Sequence, residues 1–111
     1  MTELAANSTR TIGQGDTIPN DFVVAYYLAD IKRRIGVARV DGRLYAFDDL
    51  CTCPGEPCPL SGGLLEGATL LCQCHGSRFD VATGAVLDGP ATTPLTSYEV
   101  QEVEGDIRIR A

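Results

Sequence analysis

Residues 22–28 are apolar or aromatic without interruption: a phenylalanine, two valines, an alanine, two tyrosines and a leucine. A bounded run of this length and make-up predicts a buried strand. Two further strand-like runs, 35–40 and 43–47, flank Asp41-Gly42. That dipeptide tolerates the positive φ angles of a type I′ hairpin turn. Residues 96–103 and 106–110 predict a second hairpin around Glu104-Gly105. In its last strand Ile107 and Ile109 alternate with Arg108 and Arg110, which puts one face in the core and the other in water. Twelve glycines and six prolines interrupt the chain too often for a long helix. The pattern predicts an all-β domain of short antiparallel sheets, with the intervening cysteine-rich segments as hairpin insertions.

A length of 111 residues suits one domain and no more. The polar, small residues at the start predict a flexible N-terminal lead-in over residues 1–12, followed by a single domain over 13–111. No apolar run approaches the length of a membrane span, and the N-terminus lacks the basic-then-apolar pattern of a signal peptide. These features predict a soluble cytoplasmic protein with no membrane association.

The net charge of −6 is unevenly placed. Residues 48–90 carry six acids against Arg78 alone. Such a surplus either solvates the surface or steers a basic partner to that end. It excludes nucleic acid, whose phosphates require the opposite sign.

All five cysteines and the single histidine fall between Cys51 and His75. The first group is Cys51-Thr52-Cys53-Pro54-Gly55-Glu56-Pro57-Cys58, and the second is Cys72-Gln73-Cys74-His75-Gly76-Ser77. Thiolate and imidazole are the ligands of iron–sulfur clusters and zinc. In a reducing compartment such a concentration points to metal or redox chemistry more than to a disulfide framework. Spacings of one residue between Cys51 and Cys53 and two between Cys72 and His75 let each loop deliver two ligands to one centre. Gly55, Gly62, Gly63, Gly67 and Gly76 permit the tight turns that aim amides at sulfur.

Residues 35–110 resemble a Rieske-type [2Fe-2S] domain, whose pattern is Cys-X-His in one loop and Cys-X-X-His in the other. The resemblance is carried by Cys72 to Ser77, by the approach Val40-Asp41-Gly42-Arg43-Leu44-Tyr45-Ala46-Phe47-Asp48, by Ser61-Gly62-Gly63 and by Gly89-Pro90-Ala91. It implies a Rieske-like domain with two cluster-binding loops, a cluster-binding subdomain over about 48–91, and one [2Fe-2S] cluster per chain. One departure stands out: Cys53 occupies the place of the first histidine, and no other histidine exists to replace it. The implied ligands are Cys51 and Cys72 on one iron, Cys53 and His75 on the other. In ligand count, though not in fold, this resembles the labile clusters of the mitoNEET type. The resemblance also matches Cys58 and Cys74 to a loop-to-loop disulfide, sheltered from reductants by its closeness to the cluster. Two free thiols are the alternative. Gly76, Ser77, Phe79 and Pro90 match positions around the cluster. Ser77 matches a serine that donates to a bridging sulfide, and Pro90 lies in the loop that covers the site. Phe79 stands where high-potential relatives have a donating tyrosine, so that donor is missing.

Formal charges carry the departure into chemistry. Two ferric ions, two sulfides and three thiolates sum to −1, where two-histidine ligation gives 0. An electron enters a negative site less readily. Rieske centres span roughly −150 to +300 mV and plant-type four-cysteine clusters lie near about −400 mV. An intermediate value is expected.

The resemblance implies an electron carrier between a reductase and an oxygenase or other acceptor, docking at the acidic cluster-bearing end. It is a component and not an enzyme, or else a small subunit of an oxidoreductase complex. The sequence shows no nucleotide-binding glycine motif and no hydrolytic triad. An iron–sulfur sensor or cluster-transfer protein is the alternative. Three cysteines and a histidine also make a zinc set, although the Cys51–Cys53 spacing is tighter than zinc knuckles use.

Overall fold

The computed structural model describes residues 9–55 and 57–110. Among the described residues, ten strands form two antiparallel sheets. They are β1 (Thr9–Gln14), β2 (Val23–Leu28), β3 (Arg33–Val40), β4 (Arg43–Asp48), β5 (Leu64–Glu66), β6 (Thr69–Leu71), β7 (Arg78–Asp80), β8 (Val86–Asp88), β9 (Ser97–Val103) and β10 (Asp106–Arg110). The six-stranded sheet has the order β1-β10-β9-β4-β3-β2, and the four-stranded sheet runs β5-β6-β7-β8.

Local sequence explains the two long hairpins. Asp41 and Gly42 have φ of 52° and 82°, and Glu104 and Gly105 have φ of 51° and 85°. Both pairs therefore take the double positive φ that matches the twist of the flanking strands. The register follows, with Val40 opposite Arg43 and Asp106 opposite Val103.

The central β3–β4 hairpin is covered on both faces. Val37 and Ala46 join one core with Ile18, Ile35, Leu44, Ile107 and Ile109. Their neighbours Ala38 and Phe47 join a second core, with Leu60, Leu65, Leu70, Phe79, Val81, Leu95 and three cysteines. Gly36 lies opposite Phe47 in the ladder, where a Cβ would stand 2.6 Å from the ring. The first core fills the six-stranded sheet, and the second joins it to the four-stranded one.

Three expectations are corrected. Part of the predicted lead-in is strand: β1 pairs with β10 from Thr9 opposite Arg110 onward, because polar Thr9, Arg10 and Thr11 gain a ladder partner that local pattern does not reveal. Residues 1–8 lie outside the described residues. The run 22–28 is not a buried strand: β2 is half-buried at the sheet edge, and Phe22 precedes it, 58% exposed. Of the two cysteine segments, only the second links paired strands. The first crosses from β4 in one sheet to β5 in the other, and a single bridge, Leu50 to Pro59, closes it. Among the described residues, no helix is long and apolar enough to cross a membrane.

Gly63 sits where the chain enters the smaller sheet, and a Cβ there would lie 2.0 Å from the Leu71 carbonyl oxygen. Backbone cannot yield as a side-chain tip can. Gly63→Ala is expected to cost about 1–3 kcal/mol, the usual range for overpacking, seen as a lower urea midpoint at unchanged slope.

Candidate metal centre

The first loop is closed at its base by backbone hydrogen bonds: Cys51 N–H donates to the Cys58 carbonyl (3.0 Å) and Leu60 N–H to the Asp49 carbonyl (3.3 Å). Asp49 anchors the same base. Its carboxylate is fully buried, pairs with Arg34 Nε at 2.7 Å, and accepts both the Ser61 N–H (2.6 Å) and the Ser61 hydroxyl (2.7 Å). The second loop turns tightly between β6 and β7. Cys72 N–H donates to the Ser77 carbonyl (2.8 Å) and Gly76 N–H to the Cys72 carbonyl (2.9 Å), with Gly76 at a φ of 81° that glycine favours.

These two loops bring Cys51, Cys53, Cys72 and His75 together. Their ligand atoms all lie within 4.8 Å of one another. The three sulfurs belong to buried residues, whereas His75 is exposed. Cys58 and Cys74 are joined by a disulfide that ties one loop to the other. Of its two residues Cys58 is half-buried and Cys74 exposed.

The thiols are not equivalent. Burial pushes the Cys51 thiol up, but the amides of Cys58 and Cys53 and the side chains of Cys53 and His75 outweigh it and hold it at about 6. The Cys58 N–H reaches Cys51 Sγ at 3.4 Å. Burial pushes the Cys53 thiol up to about 11; Ser77 opposes the rise, and the neighbouring Cys51 and Cys72 add to it. Ser77 is fully buried, its Oγ 3.2 Å from Cys53 Sγ, and it accepts the Ala91 N–H at 2.9 Å.

That last bond holds down the covering segment. Pro90 follows a cis peptide bond and is exposed, while Ala91 beside it is buried against the cysteines. Thr52, between two of the donors, fixes the same segment through its hydroxyl to the Thr93 carbonyl at 2.5 Å. Phe79 lies fully buried in β7 as core. Sequence reasoning did not single out Thr52, Thr93 or the role of Asp49, which it counted as surface acid. A carboxylate directly after a strand and before a ligand is a weak signal, since only the fold brings Arg34 and Ser61 to it.

The acidic surplus is partly consumed within the fold. Asp49 is buried and pairs with the exposed Arg34, Asp48 accepts the Tyr98 hydroxyl beside Arg33, and Asp88 lies 3.5 Å from Arg78. Glu66 is exposed and Asp80 half-buried.

A two-sheet β domain whose loops gather three thiols and an imidazole has the architecture of an iron–sulfur carrier domain. The chain belongs to the Rieske [2Fe-2S] domain family, which matches residues 9–99. It is 37% identical over 86 residues to the ferredoxin component of the naphthalene 1,2-dioxygenase/salicylate 5-hydroxylase systems of Ralstonia sp, covering 78% of this chain and 79% of that protein. Its fold is similar to the Sphingomonas yanoikuyae B1 ferredoxin, with a TM-score of 0.84, 28% identity and coverage of 94% and 99%. It is also similar to a chain in the complex of reduced oxygenase and oxidized ferredoxin in carbazole 1,9a-dioxygenase, with a TM-score of 0.81, 27% identity and 92% coverage of each. The family implies a [2Fe-2S] cluster, and the donor set fits one in kind: soft thiolates, one imidazole and an amide aimed at sulfur.

Asp49→Ala removes the acceptor of two Ser61 donors, while Arg34, partly exposed, turns to water. The expected loss is about 2–3 kcal/mol, the scale of hydrogen bonds to charged groups. Urea unfolding measures it, and iron content per chain falls with it.

Proposed function

We propose that the chain is a cytoplasmic electron carrier that passes one electron at a time from a reductase to an oxygenase, with Cys51, Cys53, Cys72 and His75 as the cluster ligands. The observation that carries this reading is the exposed imidazole of His75 beside three buried sulfurs. A bound cluster accepts and releases a single electron. His75 gives that electron a short path to the surface, and the buried sulfurs keep water from the remaining ligands. Cys51 and Cys72 would hold one iron, Cys53 and His75 the other. Ser77 supports Cys53 and, through Ala91, holds the covering segment in place.

The partner docks on the His75 end, where the excess acid of residues 48–90 favours a basic surface. Asp88, largely exposed and paired with Arg78 at the loop end of the smaller sheet, faces that end, whereas Glu66 and Asp80 lie at the opposite end of the sheet. The dioxygenase systems of the relatives make an aromatic-ring oxygenase the natural acceptor. A second reading, a cluster-transfer protein or iron–sulfur sensor, draws on the same exposure of His75, since protonation of a ligand nitrogen detaches it.

Iron, sulfide and zinc are counted on the anaerobically purified protein, followed by EPR after dithionite reduction. Two irons, two sulfides and a one-electron signal are expected. Electron exchange with a reductase and oxygenase pair should then proceed without cluster loss and slow as salt rises. Release of the cluster to an apo-acceptor, with no electron exchange, would favour the second reading.

Cys53→His tests the ligand set. It takes the oxidised site from −1 to 0 and adds a second ionisable imidazole. The midpoint potential should rise toward the roughly −150 to +300 mV Rieske range, and its pH dependence should show a second redox-linked proton. An unchanged potential would remove Cys53 from the ligands.

A further inference from the structure

We infer that Cys51, Cys53, Cys72 and His75 also form a mononuclear tetrahedral site for a soft divalent cation of the zinc class, an occupant that excludes the cluster. The inference rests on the four-donor assignment above and adds a second ligand class to it.

Size is the first argument. All four donor atoms lie within 4.8 Å of one another. One zinc ion, with sulfur at about 2.3 Å and nitrogen at about 2.0 Å, sets neighbouring donors roughly 3.5–3.8 Å apart. A two-iron core divides its donors between two irons, and donors on opposite irons stand farther apart than donors sharing one ion. The observed spread is one that a small contraction closes on a single ion.

Charge does not discriminate between the two occupants. Zn²⁺ and the oxidised [2Fe-2S] core both carry +2, so three thiolates bring either to −1. Ligand type favours zinc here more than in a two-cysteine, two-histidine site, because Cys53 adds a third soft donor. The set is also closed: Cys58 and Cys74 are bonded to each other, and among the described residues no other group of three potential ligands gathers. Four protein ligands with no open position is the arrangement of a structural zinc site. Access is through the exposed His75. Zinc held there carries no electron, so the loaded chain is redox-silent.

The test uses the full chain stripped of metal by a chelator without thiol reductant, so that the disulfide stays intact. It is titrated with Co²⁺, then with Zn²⁺. One cobalt per chain is expected, with thiolate charge-transfer and tetrahedral ligand-field bands that one equivalent of zinc abolishes. Cys53→Ser and His75→Ala should each weaken zinc at least tenfold in competition with a chromophoric chelator. His75 is exposed, so its variant keeps the core even if Cys53→Ser fails to fold. Zinc-loaded chain should rebuild a cluster from iron and sulfide at least tenfold more slowly than metal-free chain. Octahedral cobalt spectra, zinc affinity indifferent to both substitutions, or equal reconstitution rates would overturn the inference. A chain that binds tetrahedral cobalt but builds no cluster supports the zinc site and refutes the electron carrier. A chain that builds the cluster but never gives tetrahedral cobalt does the reverse.

Discussion

The covalent tie between Cys58 and Cys74 is the constraint on which the site depends, because the two donor loops belong to different sheets. Loop one extends from β4 of the larger sheet, and loop two joins β6 to β7 of the smaller. Each sheet satisfies its own backbone hydrogen bonds, so ladders alone do not fix one loop against the other. The disulfide restricts that freedom in the unfolded and metal-free chain. Around it, the Leu50–Pro59 bridge shapes the first loop and the Asp49 carboxylate anchors its base.

Packing couples the metal centre to the fold. Cys51, Cys53 and Cys72 share a core with Phe47, Leu60, Leu70 and Phe79. Buried thiols are tolerated when neutral or when their charge is compensated. The chain uses both devices, with Cys53 pushed up by burial and Cys51 brought down by amides that overcome its burial. The two-sided burial of the β3–β4 hairpin makes it the floor of both cores, so a change there reaches the site as well as the larger sheet.

In the proposed ligand set, Cys53 adds a negative charge that a histidine would not. His75 is the exposed member of the four, and the three cysteines are buried. Much of the acid that the sequence concentrates around it is bound into the fold through Arg34, Arg33, Tyr98 and Arg78. What faces a partner is therefore less negative than the composition suggests.

The sequence by itself determined the features that depend on near neighbours. Asp41-Gly42 and Glu104-Gly105 impose their turns because few residues accept positive φ. The alternation around Ile107 and Ile109 selects a face because strand periodicity is two. The gathering of cysteines and the histidine was legible because thiols and imidazole within so few positions point to metal or redox chemistry. Tertiary structure alone decided the rest. The mostly polar Thr9–Gln14 became a strand because β10 offered it an open edge, and the 22–28 run lay half-exposed because β2 fell at the other edge. Asp49 turned from a surface acid into a buried anchor once Arg34 and Ser61 met it, and Thr52 and Ser77 acquired partners some forty and fourteen residues away. Such contacts are set by how sheets stack and loops cross. No local pattern encodes them, because their physical cause is the position of distant chain.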